Sequence, residues 1–129
     1  MSKKVLLVDD EADFLELMSM RVKKWGYDVL AAKDGKEALS AVENKNPDIV
    51  ILDFMLPDMD GASVLRQIRK FNKDIPVIMF TAFPDKVAEE ETKGLGVSAV
   101  IPKLSMYSEV LPALESTLNM ISKKLDSEA

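Results

Sequence analysis

Along this chain, short apolar runs that stop on polar residues alternate with stretches whose apolar positions recur every three or four residues. Val5 to Val8 runs into Asp9, Asp10 and Glu11, Ile49 to Leu52 stops on Asp53, and Pro76 to Phe80 stops on Thr81 and Ala82. Ser98 to Ile101 leads into Pro102 and Lys103, and Tyr27 to Ala32 reads as one more short strand. Unbroken runs of branched and large apolar residues suit strands buried on both faces of a parallel sheet. Between them, Phe14, Leu17, Met18, Val22 and Trp25 fall at helical spacing, as do Ala38, Leu39 and Val42, and then Val64, Leu65, Ile68 and Phe71. Gly26 is placed to end the first of these helices, and Asp34 with Glu37 three residues on resembles a capping box at the start of the second. Pro84 to Lys93 predicts a weaker helix whose acids Glu89, Glu90 and Glu91 read as a solvated face. A last stripe, Tyr107, Leu111, Leu114, Leu118, Ile121 and Leu125, predicts a long amphipathic helix, with Pro112 implying a start there or a kink.

Strands alternating with helices in this way require right-handed crossovers and a parallel sheet covered on both faces. The fold expected is α/β and flavodoxin-like, a five-stranded sheet in the order 2-1-3-4-5. Strands one and three are then neighbours at the switch point, where ligands bind outside the carboxyl ends of the strands. Asp9 and Asp10 come to lie beside Asp53, with Thr81 and Lys103 on the same edge.

The 129 residues suffice for one core and not for two ordinary domains, so residues 1–129 are expected to form a single domain. Its core is expected over 3–122, with 123–129 as a polar tail and no output domain. The chain has no Cys and no His. That excludes disulfides and thiolate sites, and removes the commonest general base from any chemistry on this chain. A net charge of −5 without a basic block argues against direct nucleic-acid binding. No apolar run approaches the roughly 20 residues of a membrane span, and a cytoplasmic protein is the default expectation.

Three carboxylates brought together repel one another, and a hard divalent cation resolves the conflict. The expected cofactor is Mg²⁺, with Asp10 and Asp53 as direct ligands, Asp9 acting through water and the main-chain carbonyl of Met55 as a third protein oxygen. Asp53 could then attack an electrophilic phosphorus and form an acyl phosphate. Lys103 is the charge to balance the phosphoryl oxygens, and Thr81 the hydroxyl to donate to one of them.

These residues resemble the response regulator receiver domains of two-component signalling. The resemblance runs from Asp9-Asp10 through Leu52-Asp53-Phe54-Met55-Leu56-Pro57 and Asp60-Gly61 to Thr81-Ala82 and Lys103, nearly the whole chain. It implies that Asp53 accepts a phosphoryl group from a histidine kinase or a histidine phosphotransfer protein, with Mg²⁺ required. It also implies that Asp9 and Asp10 bind the metal, that Thr81 is the switch hydroxyl and that Lys103 is the phosphoryl partner. The surface of the fourth helix, fifth strand and last helix would then select a downstream protein. Two positions depart from the family: Leu104 follows Lys103 where Pro is usual, and Val100 stands where an aromatic is usual. Met55 and Phe83, two residues after the acceptor and the Thr, are large and apolar, and slow self-dephosphorylation is expected from them.

Other readings carry testable differences. A degenerate receiver would bind partners without phosphorylation. An aspartate-nucleophile phosphatase would carry an acid where Met55 stands, and a flavin carrier would have a Ser/Thr/Gly-rich loop where Asp9-Asp10-Glu11 stands. The chain is therefore expected not to be an enzyme on external substrates, but to catalyse the phosphorylation and dephosphorylation of its own Asp53.

Overall fold

In the computed structural model, residues 2–82, 86–103 and 107–128 are described, the side chains of 86–88 and 107–108 excepted. Five strands, β1 (Lys4–Val8), β2 (Asp28–Ala32), β3 (Ile49–Asp53), β4 (Val77–Thr81) and β5 (Ala99–Pro102), form one parallel sheet in the order β2-β1-β3-β4-β5. The flavodoxin-like order is the one expected. Five helices connect and close it: α1 (Ala12–Lys24), α2 (Gly35–Lys45), α3 (Gly61–Phe71), α4 (Lys86–Thr92) and α5 (Tyr107–Glu128).

The period of two along each strand divides the core between the faces. Val5, Leu7, Ile49, Ile51, Ile78, Phe80 and Ile101 pack with Phe14, Met18 and Val22 of α1 and Val110, Leu114, Leu118 and Ile121 of α5. The alternate residues Leu6, Val8, Val50, Leu52, Val77 and Met79 pack with Ala38 and Val42 of α2 and Val64, Leu65 and Ile68 of α3. With both faces covered, β3 and β4 are buried at every position.

The local signals act as their chemistry requires. Asp34 accepts from the Glu37 amide at 2.8 Å, and Glu37 accepts from the Lys33 amide at 3.2 Å, closing the cap from both sides. Gly26, just past the last turn of α1, has φ +103, a left-handed conformation that Gly adopts without the Cβ penalty.

Several expectations are corrected. Tyr27 precedes β2 instead of opening it, and its hydroxyl donates to Asn119 Oδ1 at 3.1 Å. β5 lies one residue later than expected; α4 is described from Lys86, and its predicted start at Pro84 lies outside the described residues, as do Phe83 and Leu104. Phe71, at helical spacing with the buried face of α3, is the last residue of that helix and is 53% exposed. The helix α5 carries Pro112 in its interior and does not start at it. Residues 123–128 are not a tail but the end of that helix, because Leu125 continues the stripe against the core and Lys3 pairs with Asp126.

Candidate functional site

The carboxyl edge of the sheet is built by register. Val8 pairs with Leu52, Leu52 with Met79, Asp53 with Phe80, and Thr81 with Pro102, so the residues following each strand emerge together. Main-chain bonds continue the ladder past the strand ends: Asp9 donates to Ala32 at 3.1 Å, Phe54 to Phe80 at 2.8 Å and Lys103 to Thr81 at 2.7 Å. Asp9, Asp53 and Thr81 are buried and Asp10 is exposed. One carboxylate oxygen each of Asp9, Asp10 and Asp53 lies within 4.8 Å of the others.

Lys103 enters this group from the end of β5. Its Nζ lies 3.3 Å from Asp53 Oδ2, 2.9 Å from Asp9 Oδ2 and 2.6 Å from Glu11 Oε1, and 4.6 Å from the centre of the Phe14 ring. Phe14 in turn meets Phe80 edge to face with centroids 6.0 Å apart, so the ammonium rests on an apolar floor. The expected group of Asp9, Asp10, Asp53 and Lys103 is thus brought together, with Thr81 at the neighbouring strand end.

Burial, and then the negative charge of Asp9, pushes the Asp53 carboxyl up to about 6, against the opposing pull of Lys103. Burial raises Asp9 as well, although the Glu11 amide and Lys103 oppose it. Burial would lower the Lys103 pKa, but hydrogen bonds to Glu11 and Asp9 and the Asp53 charge outweigh it and hold the ammonium above the ordinary Lys value. One cation therefore compensates several acids incompletely. Asp9 Oδ2 is buried, with the Lys103 ammonium 2.9 Å away as the charge it shares with Asp53. An oxygen-only set of three clustered carboxylates sharing one ammonium fits a hard divalent cation such as Mg²⁺.

Two residues escaped the sequence reading. Glu11, the third acid after the first run, holds Lys103, and its own amide donates to Asp9 Oδ1 at 2.9 Å. The unbroken triple acid was a visible signal. Asp58 accepts from the amides of Gly35 and Lys36 at 2.8 and 3.0 Å, a bond across 23 residues that no local pattern announces. Met55, whose amide donates to Asp53 Oδ1 at 3.2 Å, carries a side chain that is 63% exposed.

A five-stranded parallel sheet with an acidic cluster and a Lys at its carboxyl edge places these residues where open α/β sheets bind ligands. Residues 5–115 match the response regulator receiver domain family, and the chain belongs to that family. It is 36% identical over 121 residues to a probable transcriptional regulator, ycf27, of Porphyridium aerugineum, covering 94% of this chain and 50% of that protein. The chain thus spans about half the length of that relative. The receiver domain of the Francisella response regulator 1452 superposes with a TM-score of 0.84 at 30% identity, covering 96% of this chain and 99% of that one. The response regulator TrrA of Thermotoga maritima, solved in complex with Mg²⁺ and beryllofluoride, superposes with a TM-score of 0.76 at 30% identity, covering 89% and 98%.

Proposed function

We propose that this domain accepts a phosphoryl group on Asp53 and uses the modification to switch a partner-binding surface. The observation that carries the reading is the buried Asp53 at the end of β3, with Asp9 and Asp10 on one side and Lys103 Nζ 3.3 Å away on the other. Asp10 and Asp53 would hold Mg²⁺ directly, Asp9 through water, and Met55 through its main-chain carbonyl. When bound, Mg²⁺ supplies positive charge that neutralises the carboxylates and the phosphoryl oxygens. TrrA of Thermotoga maritima, with its Mg²⁺ and beryllofluoride, supports the assignment by similarity.

In the transfer, a carboxylate oxygen of Asp53 forms a bond to phosphorus. The bond from phosphorus to the donor imidazole nitrogen breaks, and its electron pair stays on that nitrogen. Asp53 must be ionised to attack, and with a carboxyl at about 6 it is mostly so near neutral pH. Lys103 turns from the carboxylates to the phosphoryl oxygens, which carry two or so negative charges. Thr81, at the neighbouring strand end, would donate its hydroxyl to one of them and draw its loop inward.

The donor class that the family implies is a histidine kinase or histidine phosphotransfer protein, and the phosphohistidine must lie on that partner because this chain has no His. The chemistry is confined to Asp53: Met55 stands where an aspartate-nucleophile phosphatase would carry its general acid. The downstream partner would read α4, β5 and α5, where Val100 and Met120 are 39% and 66% exposed. Among the described residues no helix is long and apolar enough to cross a membrane. Incubation with a kinase fragment phosphorylated on histidine should move the label to this chain in a form that hydroxylamine removes. A label resistant to hydroxylamine, or none, would contradict the proposal.

A further inference from the structure

The N-terminus of α2 is capped twice. Asp34 accepts from the Glu37 amide at 2.8 Å and, through its carbonyl, from Ala38 at 3.1 Å, so the helix carries its own start signal. Asp58 adds a second carboxylate from the loop between β3 and α3, bonded to the amides of Gly35 and Lys36. Water commonly satisfies first-turn amides, so a helix with a cap in its own sequence does not need another to begin. The second cap acts instead on the segment that supplies it.

That segment is seated at further points. Met59 packs so closely on α2 that a Cβ on Gly35 would lie 2.6 Å from its Cγ. Gly61 donates to the Phe54 carbonyl at 2.6 Å, and Met55 and Asp60 form an isolated antiparallel bridge. The loop leaves β3 immediately after Asp53 and contains Met55. Asp58 is solvent-facing, and the amide hydrogen bond from Gly35 holds its carboxyl below the ordinary Asp value.

We infer that Asp58 is a positioning residue for metal binding: clamped to the first turn of α2, it fixes the loop after β3 so that the Met55 main chain stands beside Asp53 before the cation arrives. The inference rests on the Mg²⁺ site proposed above. A loop already ordered loses less conformational freedom on binding, which strengthens affinity without adding a contact. The coupling is reciprocal, so the bound cation should also tighten the hold on α2.

The test is calorimetric titration of Mg²⁺ into wild type, Asp58→Ala and Asp58→Asn, with amide hydrogen exchange over residues 34–38. Loss of a supporting partner typically weakens a metal site about 10–100-fold, and a loop anchor one step further out should give about 3–10-fold for Asp58→Ala. Asp58→Asn keeps one acceptor and should fall between Ala and wild type. Mg²⁺ should add protection at the first turn of α2 in wild type and none in Asp58→Ala. Wild-type affinity in both variants would overturn the inference, as would equal weakening in both, which is what loss of charge alone produces. If wild type itself binds no Mg²⁺, the metal site falls first and the inference with it. Should Asp58→Ala not fold, Asp58→Asn against wild type decides the matter.

Discussion

Replacing Asp53 with Asn should make the metal-free protein more stable, although it removes the residue on which the proposed function turns. Asp53 is 4% exposed and its carboxyl is raised from 3.8 to about 6 by burial and by Asp9. Holding the carboxyl at about 6 instead of 3.8 corresponds to about 3 kcal/mol against the ionised folded state. The net shift already includes the favourable pull of Lys103, and Asn cannot replace every hydrogen bond, so the expected gain is about 1–3 kcal/mol above pH 6. The sign follows from proton uptake. Between 3.8 and about 6 the folded chain keeps the Asp53 proton while the unfolded chain has released it, so this residue lowers stability as pH rises through that window and makes no difference below it. The gain from Asn should thus be near zero at pH 3.5 and full at pH 8. Urea unfolding in EDTA at several pH values reads it directly; with a slope of about 1.5 kcal/mol/M, the midpoint at pH 8 moves up by about 0.7–2 M. Excess Mg²⁺ should narrow the gap, because it stabilises wild type more than the variant. A variant less stable than wild type at pH 8 in EDTA, or a gain that does not change with pH, would refute the reasoning.

Other consequences follow from single contacts. Lys103→Met leaves Asp9 and Asp53 without their shared cation and should lower metal-free stability by about 3–5 kcal/mol at pH 8, less at pH 5 where the acids take up protons; urea midpoints check both. Arg69 donates to the carbonyls of Leu95, Asn72, Ile75 and Gly96, tying α3 to the turn before β5, and Arg69→Ala should cost about 2–4 kcal/mol by urea unfolding. A Cβ at Gly61 would lie 2.8 Å from both the Asp53 carbonyl oxygen and Phe54 Cα, backbone that cannot yield cheaply, so Gly61→Ala should cost about 1–3 kcal/mol and weaken Mg²⁺ binding in the same calorimetric titration. The acyl phosphate should persist for minutes or longer in the purified protein; a lifetime of seconds, followed by phosphate release, would count against it.

The sheet order and the site were legible because both are written in local patterns. Each apolar run ends on the residue that the topology then gathers, so Asp9, Asp10, Asp53, Thr81 and Lys103 could be placed on one edge from strand–helix alternation alone. What escaped was non-local or terminal. Phe71 kept the helical period but sits where α3 ends, and period alone does not say where a helix stops. Residues 123–128 looked polar in composition and were set apart as a tail, although the stripe already included Leu125, which packs against the core within α5. Pro112 was weighed by intrinsic propensity, and the apolar stripe on both sides of it overrode that penalty. Asp58 could not be found from spacing, because its partners lie on a different helix.

The claim that Asp53 is a metal-dependent phosphoacceptor is met most directly by intact-mass spectrometry after incubation with acetyl phosphate, with and without Mg²⁺, on wild type and Asp53→Asn. One phosphoryl adduct is expected on wild type, requiring Mg²⁺ and absent from the variant. No adduct on a wild-type chain shown separately to bind Mg²⁺ would contradict it, and would leave a receiver fold that binds its partners without phosphorylation.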